Sequence, residues 1–122
     1  VLMRLDKLDF DELLKAPSLA LIDFSDAVNA VASGEYEWLD VRLSDEQERG
    51  TLRGALRLPL QALRIKAHML PTDKRYIVYC DTGRRSAAAA FLLGVMGYDA
   101  RILDGGLTAL MPSERSRFLV NE

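Results

Sequence analysis

A single cysteine stands among the 122 residues, and its neighbours decide whether it can do chemistry. Tyr76-Ile77-Val78-Tyr79 is an apolar run without polar alternation, as expected for a parallel strand buried on both faces, and Cys80 sits at its carboxyl end. Asp81-Thr82-Gly83-Arg84-Arg85 then reads as a turn, and Ser86 to Met96 as a strongly apolar helix whose four alanines allow close packing on a sheet. A strand, a glycine-bearing turn and a helix in that order curl several backbone N–H groups around the Cys80 sulfur, and such a nest binds anions. The helix start contributes partial positive charge and Arg84 and Arg85 contribute formal charge, so the turn favours the thiolate. The competing reading of Cys80 is a small buried hydrophobe, the common fate of a lone cysteine.

Other chemistry-bearing residues offer less. His68 is the only histidine and falls on a helical stretch, so no Cys-His pair is written into the sequence near Cys80. No ligands stand at metal-binding spacing, and no cofactor is implied. Trp38 reads as core, and Gly105-Gly106 as a turn that needs positive φ.

The elements that must position Cys80 follow from patterning. Glu35 to Val41 is aromatic and β-branched and ends in charge at Asp40 and Arg42, a strand delivering polar groups to its carboxyl end. Leu5 to Lys15 suits a short amphipathic helix ended by Pro17. Leu19 to Ile22 reads as a strand, and Ser25 or Asp26 can cap a helix that runs to Ser33 and stops at Gly34. Ser44 and Gln47 make a capping box for a brief helix ending before Gly50. Ala55 to Leu58 can form a strand, Pro59 can start a helix through His68, and Pro71-Thr72-Asp73 turns the chain. Gly97 closes the apolar helix, Ala100 to Leu103 is a further strand, and a final short helix is expected around Leu107 to Leu110. Strands alternating with helices predict an α/β fold, a mainly parallel sheet of about five strands with helices on both faces. In such sheets ligands gather at the carboxyl ends of the strands, where the turn from Cys80 to Ser86 lies. Residues 18–112 form the domain in this reading, with 1–17 an extension or linker and 113–122 a tail.

Composition bounds the function. The apolar fraction of 49% is enough for one buried core, and the charged fraction of 28% with a net charge of −2 argues against a disordered or histone-like chain. Residues 1–50 carry a net −7 and residues 51–122 a net +5, so the second half favours anions. Arg53, Arg57, Arg64, Lys66, Lys74 and Arg75 are nevertheless dispersed among apolar positions, which speaks against nucleic acid as a partner. The longest apolar run, Ala87 to Gly97, has eleven residues, against about 20 for a membrane span. One cysteine cannot build a disulfide framework, so a reducing, cytoplasmic setting is expected.

The segment Tyr79-Cys80-Asp81-Thr82-Gly83-Arg84-Arg85-Ser86-Ala87, then Gly97-Tyr98 and Leu103-Asp104-Gly105-Gly106, resembles the active-site half of a rhodanese domain, the sulfurtransferase family. Leu39-Asp40-Val41-Arg42, Glu46, Gly50-Thr51-Leu52, Gly54-Ala55 and Leu58-Pro59-Leu60 follow that family's order over the first half. The resemblance spans residues 19–110. It implies that Cys80 takes a sulfane sulfur from a small donor and holds it as a persulfide, within a loop of Asp81, Thr82, Gly83, Arg84, Arg85 and Ser86. A thiol or cyanide-like acceptor would then remove it. It also implies that Asp40 and Arg42 brace the loop. Relatives specialised for thiosulfate often carry basic residues directly after the cysteine, and Asp81 and Thr82 in those places weigh against thiosulfate as the physiological donor. Thr51 stands where a histidine is frequent, read here as drift at a turn. A residue near Leu110 replaces the usual tryptophan, read as a packing change.

Two other functions compete. Phosphatases of the same fold place five residues between cysteine and arginine, whereas four separate Cys80 from Arg85, a ring suited to one sulfur atom rather than a phosphate. A regulatory or sulfur-sensing module of a larger protein is the alternative. The Leu5 to Lys15 segment is similar to the junction in bacterial proteins that join a cyclic-nucleotide-binding domain to a rhodanese domain, which leaves room for an upstream domain.

Overall fold

The computed structural model describes residues 20–121, so the expected Leu5 to Lys15 helix lies outside the described residues. Five parallel strands form the central sheet in the order β1-β6-β5-β2-β4: β1 (Leu21–Ile22), β2 (Tyr36–Asp40), β4 (Leu56–Arg57), β5 (Arg75–Tyr79) and β6 (Ala100–Leu103). Helices α1 (Phe24–Ala32), α2 (Ser44–Glu48), α3 (Leu60–Lys66), α4 (Arg84–Val95) and α5 (Pro112–Phe118) connect or follow them, with 3₁₀ turns at Ala67–Met69 and Gly106–Ala109. A two-stranded antiparallel ribbon joins β3 (Thr51–Leu52) to β7 (Leu119–Val120). Among the described residues no helix is long and apolar enough to cross a membrane.

Strand period explains how the core divides. Alternate side chains of β5 and its extension point to opposite faces, so Tyr76, Val78 and Cys80 enter one apolar cluster and Ile77 and Tyr79 the other. Strand β2 does the same, with Leu39 on the first face and Tyr36 and Trp38 on the second. The first cluster is closed by Leu63 of α3 and by Ala87, Ala90 and Leu93 of α4, the small residues letting α4 lie close to the sheet. The second is closed by Phe24 and Ala27 of α1 and by Leu107 and Leu110, with Phe118 of α5 edge-on to Phe24 at 5.2 Å between ring centres. All four residues Tyr76 to Tyr79 are fully buried, as a central parallel strand demands.

Several element ends differ from the sequence expectation, each for a local reason. Helix α1 is capped by Asp23, whose carboxylate accepts from the Asp26 N–H at 2.8 Å, rather than by Ser25 or Asp26. Helix α2 is closed by Glu46 accepting from the Leu43 N–H at 3.0 Å, not by Ser44 with Gln47. Gln47 is instead buried, donating to the carbonyls of Asp40 and Arg42. Pro59 is the residue before α3 rather than its first turn. Residues after Leu110, set apart as a tail from 113 onward, form α5 and the strand that pairs with β3.

Candidate active site

Cys80 leaves β5 at the carboxyl edge of the sheet and is 1% exposed. Gly83 caps α4 with φ of 111°, a left-handed conformation that an L side chain would resist, and this turn brings the chain back over the sulfur. The Gly83 N–H donates to Sγ at 3.0 Å and the Ser86 N–H at 3.4 Å. Ser86 is fully buried; its hydroxyl donates to the Gly83 carbonyl at 3.0 Å and accepts from the thiol at 3.5 Å. Two backbone donors at the start of a twelve-residue helix thus converge on one atom.

A second turn underpins the first. The Leu107 and Thr108 N–H groups donate to the carbonyls of Cys80 and Asp81 at 3.0 and 2.9 Å, tying the 3₁₀ turn after β6 to the loop. Gly106 makes this approach feasible. A Cβ there would lie 2.5 Å from the Asp81 carbonyl oxygen and closer still to that of Cys80, and its φ is +58°. The sequence singled out Gly105-Gly106 for the turn alone; the close approach of two backbones is the stricter demand at Gly106.

Beside the loop lies a chain of charges that begins at the end of β2. Asp40 and Tyr79 are direct partners in the β2–β5 register, and both point to the face opposite Cys80. Buried Asp40 takes the Arg42 guanidinium on both carboxylate oxygens, with Nη2 at 2.9 Å and Nε at 3.1 Å, and accepts the Arg42 N–H at 3.0 Å. Arg42 also donates to the Gly50 carbonyl and reaches the Asp81 carboxylate at 3.4 Å. Burial opposes its charge, but Asp40 outweighs that and holds the guanidinium above its ordinary pKa. Thr51 donates to Asp40 at 2.8 Å, and the Tyr79 hydroxyl lies 2.8 Å from Thr51 while accepting the Leu52 N–H at 2.9 Å. Burial, then the Asp40 charge, pushes the Tyr79 phenol up and keeps it neutral. Thr51 is therefore a buried link in the network, not drift at a turn.

Arg85 turns to α2 and binds Glu46 with two hydrogen bonds, at 2.5 and 3.0 Å. That pairing holds the Glu46 carboxyl down at about 2 and raises Arg85. Asp81 sits between the two arginines, 3.4 Å from Arg42 and 3.7 Å from Arg85. Partial burial, and then the neighbouring Glu46, push its carboxyl up against the opposing pull of Arg42. Thr82 and Arg84 are exposed. Cys80, the whole 81–86 loop, Asp40 and Arg42 are thus brought together, whereas His68 lies exposed on the 3₁₀ turn after α3 with its ring on the Ile65 carbonyl.

A buried cysteine cupped by helix-start N–H groups at the carboxyl edge of a parallel sheet defines a class of α/β domains built for chemistry on sulfur or on an anion. Comparison with known proteins narrows it. The family model described as rhodanese-like domain matches residues 23–111, and the chain belongs to that family. It is 33% identical over 72 residues to thiosulfate sulfurtransferase PspE of Escherichia coli, covering 57% of this chain and 69% of that protein. It is 28% identical to human thiosulfate:glutathione sulfurtransferase over 68% of this chain and 82% of that one. A rhodanese-related protein from Thermoplasma volcanium superposes with a TM-score of 0.76 at 30% identity, over 84% of this chain and 99% of its own. At the level of the family, the chain is a rhodanese-type sulfurtransferase.

Proposed function

We propose that Cys80 carries the sulfur through a persulfide, taking it from a small sulfane donor and passing it to a thiol or cyanide acceptor. The observation that carries this reading is the pair of N–H groups, from Gly83 and Ser86, aimed at Sγ. In the first half-reaction the Cys80 thiolate attacks the sulfane sulfur of the donor. An Sγ–S bond forms, the bond from that sulfur to the rest of the donor breaks, and the electron pair leaves with the remainder as sulfite or a thiolate. In the second, the acceptor attacks the terminal sulfur, the Sγ–S bond breaks, and its electrons return to Cys80. No outside oxidant or reductant is required. The loop serves both halves because the same donors stabilise the incoming thiolate, the bound persulfide and the departing thiolate.

Intact-mass measurement after incubation with thiosulfate, or with the persulfide of 2-mercaptoethanol, tests the reading. One added sulfur atom that cyanide removes as thiocyanate is expected, and none in Cys80→Ser. An adduct that persists in Cys80→Ser would overturn the assignment.

A further inference from the structure

The face of the sheet opposite Cys80 carries a groove of about 320 Å³ that the sulfur chemistry does not use. That volume lies at the lower end of small-molecule sites, about 300–1,000 Å³. Half-buried Val28 and Val31, three residues apart on one face of α1, line it together with buried Trp38 of β2 and half-buried Phe118 of α5. Its charged lining among the described residues is Arg53 and Arg117, with no carboxylate. The Arg53 N–H donates to the Phe118 carbonyl at 3.0 Å, which extends the β3–β7 ribbon and holds the two arginine-bearing segments together. The Arg117 guanidinium lies over the Phe118 ring, 5.1 Å from its centre.

Neither of these guanidiniums makes an ion pair among the described residues, whereas Arg42, Arg75 and Arg85 each have a carboxylate. The flanking hollows differ. One shares Val28, Arg117 and Phe118 but includes Glu114, and the other shares Val31, Trp38 and Arg53 but includes Glu37, which is paired with Lys74 at 3.8 Å. Positive charge without a counterion and apolar surface thus coincide only in the middle of the three. An inorganic anion would leave the apolar surface wet, and a neutral hydrocarbon would leave both guanidiniums unmatched.

We propose that this groove binds a small amphipathic monocarboxylate, its apolar chain against Val28, Val31 and Trp38 and its carboxylate on Arg53 and Arg117. The site is separate from Cys80 and does not rest on the persulfide chemistry. Charge-assisted hydrogen bonds from exposed guanidiniums are worth about tenfold in affinity here, and the rest comes from burial of the chain.

Octanoate and 1-octanol test it, the same chain with and without the charge. Each is titrated into the wild type and into the double variant Arg53→Gln/Arg117→Gln, whose unfolding midpoint should match the wild type because both side chains are exposed. Trp38 is the only tryptophan of the chain, so its emission reports occupancy of this groove. We expect octanoate to change the wild-type emission saturably with a Kd below about 1 mM, and octanol to bind about tenfold more weakly. The double variant should lose about tenfold for octanoate and keep its affinity for octanol, and added salt should weaken octanoate alone. Absence of a saturable response to octanoate overturns the proposal, as does equal octanoate affinity in the wild type and the double variant. Octanol binding as tightly as octanoate also overturns it, since the groove would then be apolar only. Trp38 emission that changes with protein concentration alone would assign the groove to a second copy of the chain and overturn it too.

Discussion

Glu46 of α2 and Arg85 of α4 face each other as a two-pronged pair, carboxylate against guanidinium, beside the Cys80–Ser86 loop. The pair fixes the first turn of α4, whose Ser86 N–H points at Cys80. Both side chains are part-exposed, so the energetic return is modest and the geometric one is larger. Glu46→Gln should lower stability by about 1 kcal/mol at pH 7. Because the Glu46 carboxyl is held at about 2 in the fold against 4.5 ordinarily, its contribution is present above pH 4.5 and fades as pH falls towards 2. Urea unfolding at pH 7 and pH 3 checks this: the gap between wild type and variant should narrow at the lower pH. A gap that widens there would contradict the assignment.

Thr51→Val keeps the side-chain shape and removes the hydroxyl that links Asp40 to Tyr79. A buried carboxylate loses a donor and a buried phenol loses its acceptor, which should cost about 1–3 kcal/mol. Thr51→Ser should recover most of it. Equilibrium denaturation of both variants is the measurement, and a Thr51→Val variant as stable as the wild type beside a destabilised Thr51→Ser would mean that methyl packing, not the hydroxyl, holds the site.

Gly106→Ala places a Cβ against the Cys80 and Asp81 carbonyls at a positive φ. Something must shift, and what lies there is the backbone of Cys80 and Asp81. We expect a loss of about 2 kcal/mol or more in stability, combining clash and left-handed strain, together with a fall in kcat for sulfur transfer. Gly105→Ala is a useful companion, because its nearest neighbour is the Ala109 side chain rather than the loop. It should perturb stability with a smaller effect on kcat.

Phe118→Ala removes the ring that meets Phe24 edge-on and loosens the segment carrying β7. Burial is partial, so a loss of about 2 kcal/mol is expected rather than the larger figure for a full core phenylalanine. Thermal unfolding measures it. A change within a few tenths of a kcal/mol would show that α5 and β7 contribute little to the domain.

What could be read from sequence was what patterning encodes locally. The run Tyr76 to Tyr79, the glycine three residues beyond Cys80 and the alanine-rich helix each carry their own signal, and together they placed the sulfur at a strand end under a helix start. Asp40 and Arg42 were legible as charge ending an aromatic strand. The β3–β7 ribbon was not, because two-residue strands have no period and their pairing joins segments far apart in the chain. Thr51 and Tyr79 escaped for a related reason: their roles exist only through the register that sets Asp40 beside Tyr79. The cap of α1 was missed because Asp23, Ser25 and Asp26 are all competent capping residues, and composition alone does not choose among them.

Cys80 is nearly sealed by its loop, and a persulfide lengthens its side chain by about 2 Å along the new S–S bond. Under the proposed chemistry, loading would therefore change what the protein displays. Empty, it presents a thiol recessed beneath backbone amides and poorly placed to meet bulky oxidants or alkylating agents. In the proposed persulfide the transferable atom would lie one bond beyond Sγ while the Cys80 sulfur keeps its place beneath the amides, so that an acceptor would take the outer atom and leave the carrier.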